Sequence, residues 1–328
     1  MRPLAIASAL AIAAVPAAAQ ETLSVALDWT PNTNHVGLYV AQAEGYFAET
    51  GLDVEILPYT DTSSGTLVAS GVAEFGILSA VGFYTQRAAG ADLTAVLAVV
   101  QHETGRLVFN GDRTEIQRPA DLDGMIYAGF GSDWEAALIS TIIRTDGGEG
   151  VFDTVTLGTS AYEALANGSV DFTLEVSTWE GVNSVLLDRP QRAFRYSDYG
   201  VPDQHTTYLG GNSVWLAENP DTARAFVQAV QRGYAFAADN PDAAADILIE
   251  ATSGMLNNDA LVRASMQALI DGGYLRDPGE PVGLIDEGMV RAIGSFLYQA
   301  GILRDGDGTV LAEEPDAADW VTNEFLMR

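Results

Sequence analysis

The sequence predicts an α/β protein of two lobes, each a mainly parallel sheet flanked by helices, with a ligand site in the cleft between them. Three observations predict this. Short apolar runs alternate with helical periodicities from Val25 onward, as in a parallel sheet covered on both faces. A punctuated connector at 118–124, RPADLDG, interrupts the alternation, which then starts afresh. Polar, glycine-bearing loops stand where strands hand over to helices, the edge at which open α/β sheets bind ligands.

Residues 1–19 combine Arg2, an apolar run from Leu4 to Val15 and three alanines ending at Ala19. This reads as a secretory signal peptide, too short and alanine-rich for a membrane anchor. The mature chain is expected outside the cytoplasm, as a monomer with no direct membrane insertion. Val25 to Leu27 begins a strand, and 28–34, with Pro31 and two Asn, is turn chemistry. Val36, Val40, Ala43 and Phe47 fall at helical spacing, Gly51 closes the connection and 52–56 is a strand. A right-handed βαβ unit follows from that order. Strands are expected at 74–78, 93–100 and 106–110, with helices at 66–70 and 79–88. Beyond the connector come strands at 125–127, 152–157, 170–175 and 192–196, with helices at 132–145 and 161–166. The segment 208–216 carries the chain back. Lobe 1 is therefore expected to comprise 20–117 plus 212–328, and lobe 2 118–211. Asn219-Pro220-Asp221 and Asn240-Pro241-Asp242 read as matching helix starts, Asn capping and Pro at the first turn. A last helix is expected over 317–325.

Composition removes several functions. The formal charge of −29 excludes nucleic acid as a partner. All 16 basic residues are Arg, and neither Lys nor Cys occurs. Schiff-base cofactor chemistry, thiolate nucleophiles and disulfides are thereby excluded. His35, His102 and His205 lack metal-ligand spacing, and the DGDG stretch from Asp305 lacks the glycine of a calcium loop. There is no GxSxG, HExxH or P-loop. No catalytic residue, metal or cofactor is expected.

The first candidate loop, 28–35, offers Asp28, Trp29 and Asn34: a charge, a large ring and an amide at a strand's carboxyl end. The second is YAGFGSDWEAA, 127–137. There Gly129 and Gly131 allow a tight turn, and Ser132 with Glu135 fits a capping box. These residues serve a capped turn with or without a ligand, and the exposed amides of a helix start also attract anions or carbonyl oxygens. The third is LEVSTWEGV, 174–182, where Glu175 and Glu180 can pair with amino and ring nitrogens. Trp179 is either a cleft ring or a packed surface ring. Ser79 follows the third strand, and Tyr208 on the return segment is expected to close the site with its hydroxyl.

DWTPNTNH followed by GLYVAQAEGYFAETGLDVEI resembles the opening of the bacterial thiamine-pyrimidine-precursor binding proteins (ThiY type), and TNEFL at 322–326 is also similar. These share a superfamily of periplasmic-binding-protein fold, type II, with fungal thiamine-pyrimidine synthases and with sulfonate and nitrate binding proteins. The resemblance implies a periplasmic receptor that delivers a small heteroaromatic solute to the membrane permease of an ABC importer. It matches Trp179 to the second tryptophan of the bacterial binders' WGWTGVE-like segment and puts Gly129 and Gly131 at the cleft. Formylaminopyrimidine or hydroxymethylpyrimidine is the expected solute. Riboflavin, a sulfonate or nitrate remain alternatives, as does a synthase. In the fungal enzymes a cofactor-bearing Lys and a substrate His occupy the places held here by Ser79 and Phe83, which speaks against the enzyme.

Overall fold

A computed structural model describes residues 20–327; the expected signal peptide lies outside the described residues. Ten strands form two five-stranded sheets. The first contains β1 (Glu21–Ala26), β2 (Leu52–Leu57), β3 (Phe75–Ser79), β4 (Leu93–Val100) and β10 (Thr207–Asn212), in the order β2-β1-β3-β10-β4. The second contains β5 (Gly105–Asn110), β6 (Ile126–Gly129), β7 (Asp153–Thr156), β8 (Phe172–Val176) and β9 (Gln191–Arg195), in the order β7-β6-β8-β5-β9. Each is mixed by one reversed strand: β10 runs against β3 and β4, and β5 runs against β8 and β9. Strand β4 is buried along nearly its whole length, hence its continuous apolar run.

The crossings between the sheets differ from the expected boundaries at 118 and 211. Strand β5 already belongs to the second sheet and β10 to the first, so the chain crosses at 101–104 and returns at 196–206. The connector at 118–124 only turns the chain within the second sheet. The two crossing segments are stitched together. Thr206 Oγ1 accepts from the Thr104 amide at 3.0 Å and donates to the His102 carbonyl at 2.7 Å.

Three local expectations are corrected. Phe47 does not continue the helix Val36–Ala43; Gly45, at φ 74°, breaks it before a second short helix, Tyr46–Glu49. Phe47 still reaches the core, stacked on Phe226 with ring centroids 5.5 Å apart. Asn219 and Asn240 do not cap the helices Pro220–Asp239 and Pro241–Ala251 through their side chains. Each amide donates backward instead, to the carbonyls of Trp215 and Phe236, closing the preceding helix. The expected last helix shrinks to a single turn, Ala317–Trp320. Val321 then bridges Ala95 and the Thr322 amide donates to the Ala95 carbonyl at 2.9 Å, which covers the edge of β4.

Candidate functional site

Between the two sheets, at the carboxyl ends of β1, β3, β6 and β8, lies a cavity of about 480 Å3. That size suits a small ligand. One wall is the loop after β1. The Asn32 amide donates to His35 Nδ1 at 3.2 Å, so this nitrogen is the acceptor and carries no proton. Nε2–H then donates to Asp28 Oδ1 at 2.8 Å. His35 is completely buried and fixes the Asp28 carboxylate at the cavity edge. The Asn32 side chain accepts from the Asn34 amide at 2.8 Å, and Tyr234 donates to the Asn34 carbonyl at 2.6 Å. The loop is preformed by its own hydrogen bonds.

The facing wall comes from the second sheet. Gly131, at φ 78°, turns the chain after β6, and a Cβ there would lie 2.4 Å from Thr156 Oγ1. A Cβ at Gly129 would strike the Tyr127 hydroxyl. These glycines shape the turn and do not line the cavity; Phe130 between them and Ser132 after them do. Buried Glu135 accepts from the Phe130 amide at 3.1 Å and the Ser132 amide at 2.9 Å. Ser132 and Glu135 stand in the capping-box arrangement the sequence predicts, with the glutamate's half the firm one, since the Ser132 hydroxyl makes no full hydrogen bond.

Trp29 joins the walls. Its ring lies 5.2 Å from Tyr59 and 5.9 Å from Phe130, the second nearly perpendicular at 78°. A single turn of π-helix after β8, Ser177–Gly181, brings Trp179 and Glu180 to the same cavity. Glu180 accepts from the Val176 amide at 3.2 Å, and burial in the cleft wall pushes its carboxyl up to about 7. No arginine lines the cavity. Its serine hydroxyls touch no imidazole or carboxylate, so it offers planar contact and hydrogen bonds but no assembled nucleophile.

The model of the family described as NMT1/THI5 like matches residues 32–244. The chain belongs to the NMT1/THI5-like family. Within similar proteins, it is 30% identical to a formylaminopyrimidine-binding protein of Halalkalibacterium halodurans over 70% of this chain and 71% of that one. It is 32% identical to a 4-amino-5-hydroxymethyl-2-methylpyrimidine phosphate synthase of Saccharomyces cerevisiae, over only 28% of this chain and 27% of that one. The solved periplasmic aliphatic sulphonate binding protein SsuA from Escherichia coli superposes with a TM-score of 0.67 at 14% identity, covering 92% of each chain. The fold is thus that of the periplasmic binding proteins.

In this NMT1/THI5-like chain Asp28, Trp29, Asn34, Ser79, Ser132 and Trp179 meet at the cavity as the sequence suggested. Four expected residues do not: Gly129 and Gly131, which only shape the turn, and Tyr208 and Glu175. Tyr208 is fully buried and its hydroxyl pairs with that of Tyr84 at 2.9 Å, because β10 is an interior strand of the first sheet. Glu175 points away from the cleft and is taken by Arg106, whose Nε lies 2.5 Å from Oε1. Tyr59, Phe130, Trp134 and Tyr162 line the cavity and were not singled out. Two carried a readable signal: Tyr59 follows the end of β2, and Phe130 sits between the two glycines of the turn. His35, His102 and His205 lie in separate hydrogen-bond networks.

Proposed function

We propose that the protein is an extracytoplasmic solute receptor of an ABC importer, and that its solute is a thiamine-pyrimidine precursor of the formylaminopyrimidine or hydroxymethylpyrimidine type. The observation that carries this reading is one cavity in which Trp29, Tyr59 and Phe130 meet across two lobes beside Asp28 and Glu180. Aromatic faces hold a flat ring, and carboxyl groups pair with its amino and ring nitrogens. The formylaminopyrimidine-binding relative supports the same solute class. An oxyanion such as nitrate or a sulfonate would meet four acids, Asp28, Asp61, Glu135 and Glu180, and no arginine in the cavity. Closure of two lobes around the ring would bury it and form the surface that a permease reads. A synthase is disfavoured, since the chain has neither Lys nor Cys, and Ser79 and Phe83 stand at the cavity where the fungal resemblance calls for Lys and His.

The test is a thermal-shift panel of aminopyrimidines, flavins, nitrate and taurine on the mature chain. A ligand at 100 times its Kd adds about 2.7 kcal/mol to stability. A shift with pyrimidines alone is expected. One with nitrate or taurine alone would overturn the solute class, and recovery of a chemically altered pyrimidine would overturn the receptor.

A further inference from the structure

Trp134 borders three spaces at once. It lines the ligand cleft of about 480 Å3, a chamber of about 170 Å3 toward the crossing segments, and a third space of about 320 Å3. The third space is a groove at the outer surface, where its lining residues Ala89 and Arg304 are exposed. The groove straddles the two sheets as the cleft does. Ala89 follows β3 and the helix Ala80–Ala88, while Ala137 follows β6, on the helix Asp133–Thr145. Ala89, Ala137, Ala300 and Gly301 are small, so the groove keeps room beside the indole.

A ring enclosed by close-packed neighbours cannot turn. Trp134 is only half-buried and meets open space in three directions. It stands in the first turn of the helix Asp133–Thr145, after Gly131 in the left-handed conformation and Ser132, whose hydroxyl makes no full hydrogen bond. Trp29, in contrast, is held against Tyr59 and Phe130. The helix fixes where the Trp134 side chain starts, and the packing leaves its ring free to swing toward the groove.

We propose that the Trp134 ring is a gate between the ligand cleft and the outer groove, past which water leaves as the lobes close on a solute and returns as they part. This rests on the receptor reading, because a site that closes must expel its solvent. A gate changes a barrier and not the two end states, so it moves association and dissociation together.

The test is stopped-flow kinetics on the mature chain, followed by tryptophan fluorescence, with formylaminopyrimidine and hydroxymethylpyrimidine as probes and calorimetry for Kd. Trp134→Ala holds the gate open. Both rate constants are expected to rise about tenfold, with Kd within about twofold of the wild type. Ala89→Phe fills the groove from its rim, outside the cleft, and should slow both rates about threefold or more at nearly constant Kd. If Trp134→Ala does not fold, Ala89→Phe carries the test alone. A loss of affinity of about tenfold in Trp134→Ala, carried by dissociation alone, would make the ring a ligand contact and overturn the gate. Unchanged rates in both variants would overturn it as well and leave the receptor standing. Failure of both probes to bind the wild type would overturn the solute reading on which the gate rests, and the gate with it.

Discussion

The two walls of the cleft are built on opposite terms. In the Asp28–His35 loop the polar groups are bound to one another or to the core: Asp28 to His35, Asn32 to both His35 and Asn34, Thr33 to Ser265 at 2.6 Å. Such a loop has its shape before any ligand arrives. On the facing wall the Ser132 hydroxyl has no partner, Glu180 is a carboxyl burdened by burial, and Phe130 leaves 43% of its surface exposed. One wall is largely preformed and the other keeps more unmet capacity. A receptor that grips by closure uses the first as an anvil, and places on the second the groups that gain most when solvent leaves.

The comparison is broken most severely at Trp29. Trp29→Ala should weaken ligand binding by about 2–4 kcal/mol, as for a buried aromatic anchor. Phe130→Ala, which removes a perpendicular ring from the facing wall, should cost about 0.5–1.5 kcal/mol. Calorimetric titration of both variants checks the ranking. Equal losses would mean that the walls share the ring evenly and that the anvil description fails.

Glu180 sharpens the comparison from the other wall. Its carboxyl is raised to about 7 by burial, from an ordinary 4.5. A raised value means that the folded state holds the proton more tightly. The stabilisation is therefore fully present below the unfolded value and lost as pH rises through about 7. Between about pH 5 and pH 8 the wild type should lose about 1–2 kcal/mol more stability than Glu180→Gln, whose amide stays neutral. Urea titrations at the two pH values measure it. Parallel losses in both proteins would show that Glu180 is already well solvated.

The same division decided what the sequence made legible. Loop 28–35 could be read because its polar residues are crowded into one short turn at a strand end, where few roles other than a site or a turn exist. The contribution of Phe130 was hidden by its neighbours. Gly129 and Gly131 advertise the turn, while the residue that enters the cavity is the ordinary one between them. Glu175 misled for a related reason: it and Glu180 lie on one short stretch, and only the pairing of β5 with β8, which sets Arg106 opposite Glu175, separates their fates. Tyr208 misled because β10 looks like a connector in sequence and is interior in the sheet. The lobe boundaries slipped likewise. The punctuation at 118–124 is loud, whereas the true crossing at 101–104 is short and carries no Pro or Gly. Register and long-range pairing are not local properties, and each of these misreadings lies where they decide.

The smallest effect is expected at the crossing itself. His102 stands between Asp203 and Asp277, with Nδ1 2.7 Å from the first and Nε2 2.8 Å from the second. Ionised carboxylates only accept, so both ring nitrogens donate and the ring is an imidazolium. Burial alone would lower its pKa, but the hydrogen bonds and charges of the two aspartates together raise it above the ordinary 6.5. The sign follows: the contribution is complete below that ordinary value and disappears as pH climbs through the raised one. Asp203 also accepts from the amides of Glu103 and Gln204, so the cluster ties both crossing strands to the first lobe's Asp277 loop. The three side chains are 32%, 41% and 39% exposed, which holds such pairs to about 0.2–1 kcal/mol each. His102→Gln should therefore be slightly less stable than the wild type near pH 6 and indistinguishable from it near about pH 9. A deficit that persists at the higher pH would mean that the ring acts by packing. Weakness suits this position under the proposed closure, because a strong lock across the crossing would oppose it.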